Sequence, residues 1–251
     1  MPVSNHGARI RLIIKAKNLQ DVAVKPPESI GGLKGDAFLK LNPLGKMPVL
    51  ITESQDVIFE SDVIARYLVD KYRDASPSFI PKTIEQRTLS DTIVRLHDVY
   101  ISSLQGSMYK VQPFPFSVFG NNRKMALNEL LKQVKLIEDT VTAFDKKYYH
   151  LYSKKNIDNK SLFLAGDDIS LADVTLYPTA IFFKFILPEY FGITDFFGER
   201  LNNWYAFMDN ESKSNKDLLF VNEVKAEVMS GLNSWKIANR FGPIVEEMKT
   251  Y

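Results

Sequence analysis

An α/β N-terminal module followed by an all-α remainder is the fold class that the sequence predicts, and three observations carry it. Up to Tyr72, short β-branched runs alternate with helical patterns. The stretch DASPSFIPKT (residues 74–83), with two Pro and small polar residues, then breaks the pattern as a linker would. Everything beyond it repeats apolar residues at helical spacing.

In the first module, residues 7–17 place Ile10, Ile13, Ile14 and Lys17 on one helical face, with Arg9, Arg11 and Lys15 on others, which predicts an amphipathic helix. A short strand over residues 1–3 is expected ahead of it. DVAVK (residues 21–25) alternates like a strand and is followed by the turn-rich PPESIGG. A short helix over residues 35–41 then ends at NPLG. MPVLI and DVIF, separated by TESQ, read as a hairpin, and a helix over residues 61–72 closes the module. Strand, helix, strand, helix, hairpin, helix is the order of a compact thioredoxin-like α/β domain. The predicted division is residues 1–75 for this domain, 76–82 for the linker and 83–251 for the helical domain.

In the second part, Ile84, Leu89, Ile93, Leu96, Tyr100 and Leu104 keep one stripe, and Leu127, Leu130, Leu131, Val134, Ile137, Val141, Phe144 and Tyr148 keep another. Two long helices are predicted, joined by KVQPFPFSVFGNN. The Phe114, Phe116 and Phe119 rings of that connection must be covered or must line a pocket. In AGDDISLADVTLYP, Ser170 precedes an apolar helix, Asp173 stands three residues on where it caps reciprocally, and Ile169 is placed to pack on Val174. That motif starts a helix and carries no chemistry.

Composition removes several function classes. With 251 residues and 45% hydrophobic content the chain can bury one large core or two smaller ones. Its 32 Lys and Arg against 30 Asp and Glu are scattered, so there is no electrostatic footprint for nucleic acid. The absence of cysteine excludes disulfides, thiolate metal sites and a protein thiol nucleophile. The opening MPVSNHGARIRLIIKAKNL matches neither a signal peptide nor a membrane span, so a soluble, cytoplasmic protein is expected. His6, His97 and His150 lack ligand spacing, so no metal site is predicted. His6 lies two residues from Ser4 with no third orienting acid, which argues against a Ser-His nucleophile.

Two local patterns point to a ligand. In KMPVL, Pro48 stands at a strand start, where its missing N–H is tolerated. A cis Met47–Pro48 bond there would turn the Met47 N–H and C=O outward to pair with an extended peptide. In FES, Glu60 and Ser61 stand at a helix start, whose unpaired N–H groups and partial positive charge suit a carboxylate.

SNHGAR, NPLGKMPVL, FESDVIARYL and GDDISLADVTLYP, taken together, resemble the cytosolic glutathione transferase superfamily, in its Ser-type phi, tau and theta-like classes. The resemblance implies glutathione as co-substrate and no metal. Met47, ahead of Pro48, would pair with the cysteinyl unit. Ser61 and its helix tip would hold the γ-glutamyl carboxylate, Glu60 would face the ammonium, and Lys46 would take the glycyl carboxylate. Ser4, followed by Arg9 at the family's spacing, would donate a hydrogen bond to the thiolate, with Asn5 as the fallback donor. That bond plus the helix terminus would supply roughly 2 to 5 kcal/mol, lowering a thiol pKa by about 1.5 to 3.5 units.

The implied activity is conjugation of glutathione to small hydrophobic electrophiles, a detoxification chemistry, with Tyr100, Tyr109, Phe114 and Phe116 as pocket candidates and a homodimer as the assembly. A glutathione-dependent peroxidase and a non-catalytic binding or scaffold module on the same fold remain as alternatives. Classes that run thiol transfer carry Cys where Ser4 stands, so that chemistry is disfavoured.

Overall fold

The computed structural model describes residues 3–111, 122–152 and 162–248. Its first helix, α1 (Asn5–Ala16), starts where Ser4 adopts an extended conformation and its Oγ accepts the Gly7 N–H at 3.0 Å. Ala8, Leu12 and Ile13 are fully buried on its inner face. At its far end the Lys17 ammonium donates to the Tyr72 and Ala75 carbonyls, neutralising two orphan acceptors.

Of the two strands predicted outside the hairpin, residues 1 and 2 of the first lie outside the described residues, and the second is not formed. Val3, the described residue of the first, lies outside any strand, and residues 22–26 run without a ladder. The alternation in DVAVK is real, but a strand exists only by pairing, and among the described residues no neighbour offers it an edge. Ala23, Val24 and Lys25 are accordingly exposed. The short helix is present as α2 (Asp36–Leu41), preceded by a 3-10 turn over Pro27–Ile30.

The predicted hairpin is present. Strands β1 (Val49–Ile51) and β2 (Val57–Phe59) run antiparallel, with Val49 opposite Phe59 and Ile51 opposite Val57. The Met47–Pro48 bond ahead of β1 is cis, as expected, and so is Ser76–Pro77, which the sequence reading does not single out. Helix α3 (Ser61–Lys71) follows and buries Ile64, Ala65 and Leu68 toward α1. This thioredoxin-like half is thus one hairpin and three helices among the described residues.

Phe79, within the polar connecting stretch, is almost fully buried and bridges in parallel to Ser170, with the Leu171 N–H donating to its carbonyl at 3.1 Å. The connection is therefore pinned to the start of the core helix.

The helical half opens with α4 (Ile84–Leu96), whose Thr83 and Gln86 form a reciprocal cap. The single helix predicted over residues 83–108 changes hydrogen-bond register. A π turn (His97–Ile101) leads into α5 (Ser102–Leu104) and a 3-10 turn (Gln105–Met108). Periodicity alone does not report such a change, because the apolar stripe continues through it. Then come α6 (Arg123–Tyr152), α7 (Leu171–Phe191), α8 (Glu199–Ser214), α9 (Leu219–Ile237) and α10 (Gly242–Met248).

Helix α7 is apolar on every side and long enough to cross a bilayer, yet most of it is buried inside the protein, as befits a central core helix. The Ser170–Asp173 reciprocal cap at its start is formed as predicted, and Ile169 and Val174 are both buried. The Phe114, Phe116 and Phe119 rings lie outside the described residues.

Candidate active site

Ser4 caps α1 by accepting the Gly7 N–H, and this leaves its own O–H hydrogen free to donate elsewhere. Ser4 is only half-buried, at a helix N-terminus where unpaired N–H groups concentrate positive potential. Asn5, the fallback donor, is turned inward instead. Its amide donates to Gln105 Oε1 at 2.9 Å and to Thr179 Oγ1 at 2.7 Å, which commits both of its hydrogens.

The start of α3 comes to the start of α1 through His6. Its Nδ1 lies 3.2 Å from Ser61 Oγ and its Nε2 lies 2.9 Å from Ser102 Oγ on α5. Ser61 Oγ also accepts from Arg9 Nη1 at 3.0 Å, so it is bonded to both Arg9 and His6. The Ser61 side chain is therefore engaged inside the protein, and its main-chain N–H at the first turn of α3 is the group left to meet an anion. Glu60, the residue before that turn, is exposed and holds a positive φ of 71°, a conformation unfavourable for a non-glycine residue. Lys46 is exposed just ahead of Met47, and its charge bears on both His6 and Lys110. The tips of α1 and α3 and the entry to β1 thus converge around His6.

Beneath them lies a buried polar chain that sequence reasoning misses. Arg9 is fully buried and grips Asp98 with both guanidinium nitrogens, at 2.7 and 3.0 Å. His97 Nδ1 lies 2.8 Å from Asp98 Oδ1, and its Nε2 lies 2.7 Å from Thr179 Oγ1. A neutral His97 with its proton on Nδ1 satisfies this chain, because Thr179 accepts from Asn5 and passes its own proton to Nε2. The one sequence signal for it is a His-Asp pair placed inside the Ile93 to Leu104 stripe.

Electrostatics follow from the burial. Burial first, then the nearby Arg9 and Lys46 charges, with protonation of His97 acting the same way, hold His6 down at about 3. Burial likewise lowers His97, against the pull of Asp98. For Asp98, burial opposes ionisation, but the His97 hydrogen bond and the Arg9 charge outweigh it and keep the carboxyl well below the usual carboxylate range.

An unfolded histidine takes its proton near 6.5, whereas these two resist it when folded. The His6 contribution is therefore present above the mid-6 range and is lost as pH falls toward 3, and His97 acts in the same direction. Urea unfolding should lose up to about 1.4 kcal/mol per pH unit from His6 between pH 6.5 and 5, and His6→Gln should remove that share. A midpoint that does not move over that interval would refute the assignment.

The pocket candidates divide. Tyr100 is exposed on the π turn, two residues before Ser102, which bonds His6. Tyr109 is packed against Phe182 and Trp235, with ring centroids 5.9 and 5.5 Å away, and burial pushes its phenol up to about 12. Phe114 and Phe116 lie outside the described residues. A polar cleft lined by Ile14, Asn18, Pro77 and Leu218 sits at the opposite end of α1, about 20 Å along its axis from Ser4. Among the described residues no cluster of side chains suits a metal ion.

Residues 3–71 match the family description "Glutathione S-transferase, N-terminal domain", and residues 125–209 match "Glutathione S-transferase, C-terminal domain". Glutathione S-transferase PM239X14 of Arabidopsis thaliana is 31% identical over 160 residues, covering 63% of this chain and 68% of that protein. Glutathione S-transferase 3 of Zea mays is 28% identical over 174 residues, covering 69% of this chain and 71% of that protein. Among solved structures, poplar glutathione transferase F1 superposes with a TM-score of 0.60 at 22% identity, covering 90% of this chain and 95% of that one. A delta-class glutathione transferase of Nilaparvata lugens gives 0.62 at 19% identity, covering 97% of each chain.

The chain belongs to the glutathione S-transferase family, within the cytosolic superfamily of these enzymes. Members of that family use glutathione as co-substrate.

Proposed function

We propose that the protein conjugates glutathione to small hydrophobic electrophiles, with Ser4 donating a hydrogen bond to the thiolate. The observation that carries this reading is the state of the Ser4 hydroxyl. Its oxygen is used as a cap for the Gly7 N–H, while its hydrogen is free at a helix N-terminus beside the tip of α3. The thiol proton leaves to solvent, the sulfur anion attacks an electrophilic carbon, and the displaced group departs with its electron pair.

In this reading the tripeptide is held along its length. Met47 pairs with the cysteinyl unit by strand addition ahead of β1, and Lys46 meets the glycyl carboxylate. The N–H groups at the start of α3, Ser61 first, take the γ-glutamyl carboxylate, and Glu60 faces the ammonium. Pro48 terminates the pairing, since it has no N–H to offer. Residues 1–75 bind glutathione, residues 83–251 supply the co-substrate side with Tyr100 and Tyr109, and residues 76–82 join them. The assembly is a homodimer in the cytoplasm, in keeping with the family.

Retention on immobilised glutathione followed by turnover of a reactive aryl halide tests the reading. Retention with conjugation is the expected result. Retention without turnover would reduce the protein to a binding module, and the absence of both would remove glutathione from the account.

A further inference from the structure

Helix α9 begins beyond residue 209, where the family match ends, and it packs antiparallel along α1. Three positions of α9, each four residues apart, face α1 and the residue that leads into it. Glu223 pairs with Lys15 at 2.7 Å, Glu227 lies 2.8 Å from Arg11 Nε, and Gly231 meets Val3. The third contact has no room to spare. A β-carbon at Gly231 would stand 2.2 Å from Val3 Cγ2 and 3.3 Å from Val3 Cβ.

Glycine inside a helix is disfavoured relative to alanine by about 1 kcal/mol, so α9 itself gains nothing from Gly231. What the missing side chain admits is Val3, the residue immediately before the cap. Valine is stiff about χ1 and short, so relieving that clash moves the main chain rather than a side-chain tip. Because Val3 and Ser4 are joined by one peptide, the movement passes directly into the extended conformation that aims the Ser4 hydroxyl.

A second link runs through Arg11. Its guanidinium, held by Glu227, reaches back along α1 until a β-carbon on Gly7 would be 3.3 Å from Nη1 and 3.5 Å from Ser4 Oγ. The α9 stripe therefore meets the residue before Ser4 directly, at Val3, and the first turn of α1 indirectly, through Arg11.

Accepting Ser4 as the thiolate donor, we infer that α9 sets the aim of that hydroxyl, with Gly231 as a positioning residue that fixes Val3. The glutathione clamp at Lys46, Met47, Glu60 and Ser61 makes no part of this contact. The effect therefore falls on the reactivity of the bound sulfur rather than on the binding of the tripeptide.

The test is the pKa of bound glutathione, read from thiolate absorbance. The chain contains no cysteine, so that signal belongs to the ligand alone. Gly231→Ala should raise the bound thiol pKa by about one unit and lower kcat/KM near neutrality about ten-fold, with KM for glutathione changed less than about two-fold. Val3→Leu, which crowds the contact from the other side, should act in the same direction. Val3→Ala placed in the Gly231→Ala protein should restore the parent thiol pKa.

If Ser4→Ala raises the thiol pKa while Gly231→Ala and Val3→Leu leave it unchanged, the positioning role of α9 is wrong and the role of Ser4 stands. Failure of the double variant to restore the pKa also overturns the inference. If Ser4→Ala itself has no effect, both ideas fall.

Discussion

Asp173→Ala is expected to lower the melting temperature by about 10 °C or more and to destabilise the protein by about 3 to 5 kcal/mol. Asp173 is fully buried at the start of α7 and accepts four hydrogen bonds, from Leu164 N, Ser170 N, Ser170 Oγ and Trp204 Nε1, all between 2.7 and 2.9 Å. Burial pushes its carboxyl up while those donors pull it back. Alanine would leave all four donors buried without an acceptor, and such groups are expensive to strand in a low-dielectric interior. A loss of that size is a large share of the total stability of a folded domain.

The Trp204 indole gives a direct readout, since it is fully buried and bonded to Asp173. Its fluorescence should shift to the red well below the parent's transition. A variant melting within a degree or two of the parent would show that Asp173 is not the keystone of α7. Asp173→Asn should fall between the two, because an amide keeps one acceptor but turns two hydrogens toward groups that also donate.

Ser4→Ala is expected to raise the pKa of glutathione bound to the protein by about 1 to 2 units, corresponding to the loss of a charge-assisted hydrogen bond of about 1.5 to 3 kcal/mol. The conjugation rate at neutral pH should fall about 10- to 100-fold, and the rate should recover on raising the pH as the thiol ionises unaided. The variant should also lose about 1 kcal/mol of stability, because Ser4 caps the Gly7 N–H. That small loss must be separated from the chemical one by assaying far below the melting temperature. Recovery of rate at alkaline pH distinguishes a weaker thiolate from a damaged fold. An unchanged pH profile would remove Ser4 from the chemistry.

What could be read from the sequence was what is decided locally. The Ser170–Asp173 cap, the hairpin either side of TESQ and the helix entered at Ser61 each lie within a few residues, and each is formed. DVAVK failed because pairing is not local: the alternation shows that a segment can be a strand, not that an edge awaits it. The polar chain of Arg9, His97, Asp98 and Thr179 joins residues up to 89 positions apart, and nothing in one sequence says that these groups meet. His6 illustrates the same limit within the site. Its neighbour Ser4 suggested a catalytic pair to be dismissed, whereas its partners are Ser61 and Ser102, brought to it by α3 and α5.

The ladder between β1 and β2 is only three residue pairs long. A hairpin of that size does not hold in water by itself, so the strands that follow Met47 depend on α3 packed against them. Its amides are therefore expected to exchange with solvent early, and a tripeptide paired at Met47, as proposed, should slow exchange there. In the proposed binding mode the tripeptide would add one short rung ahead of β1 for as long as it stays.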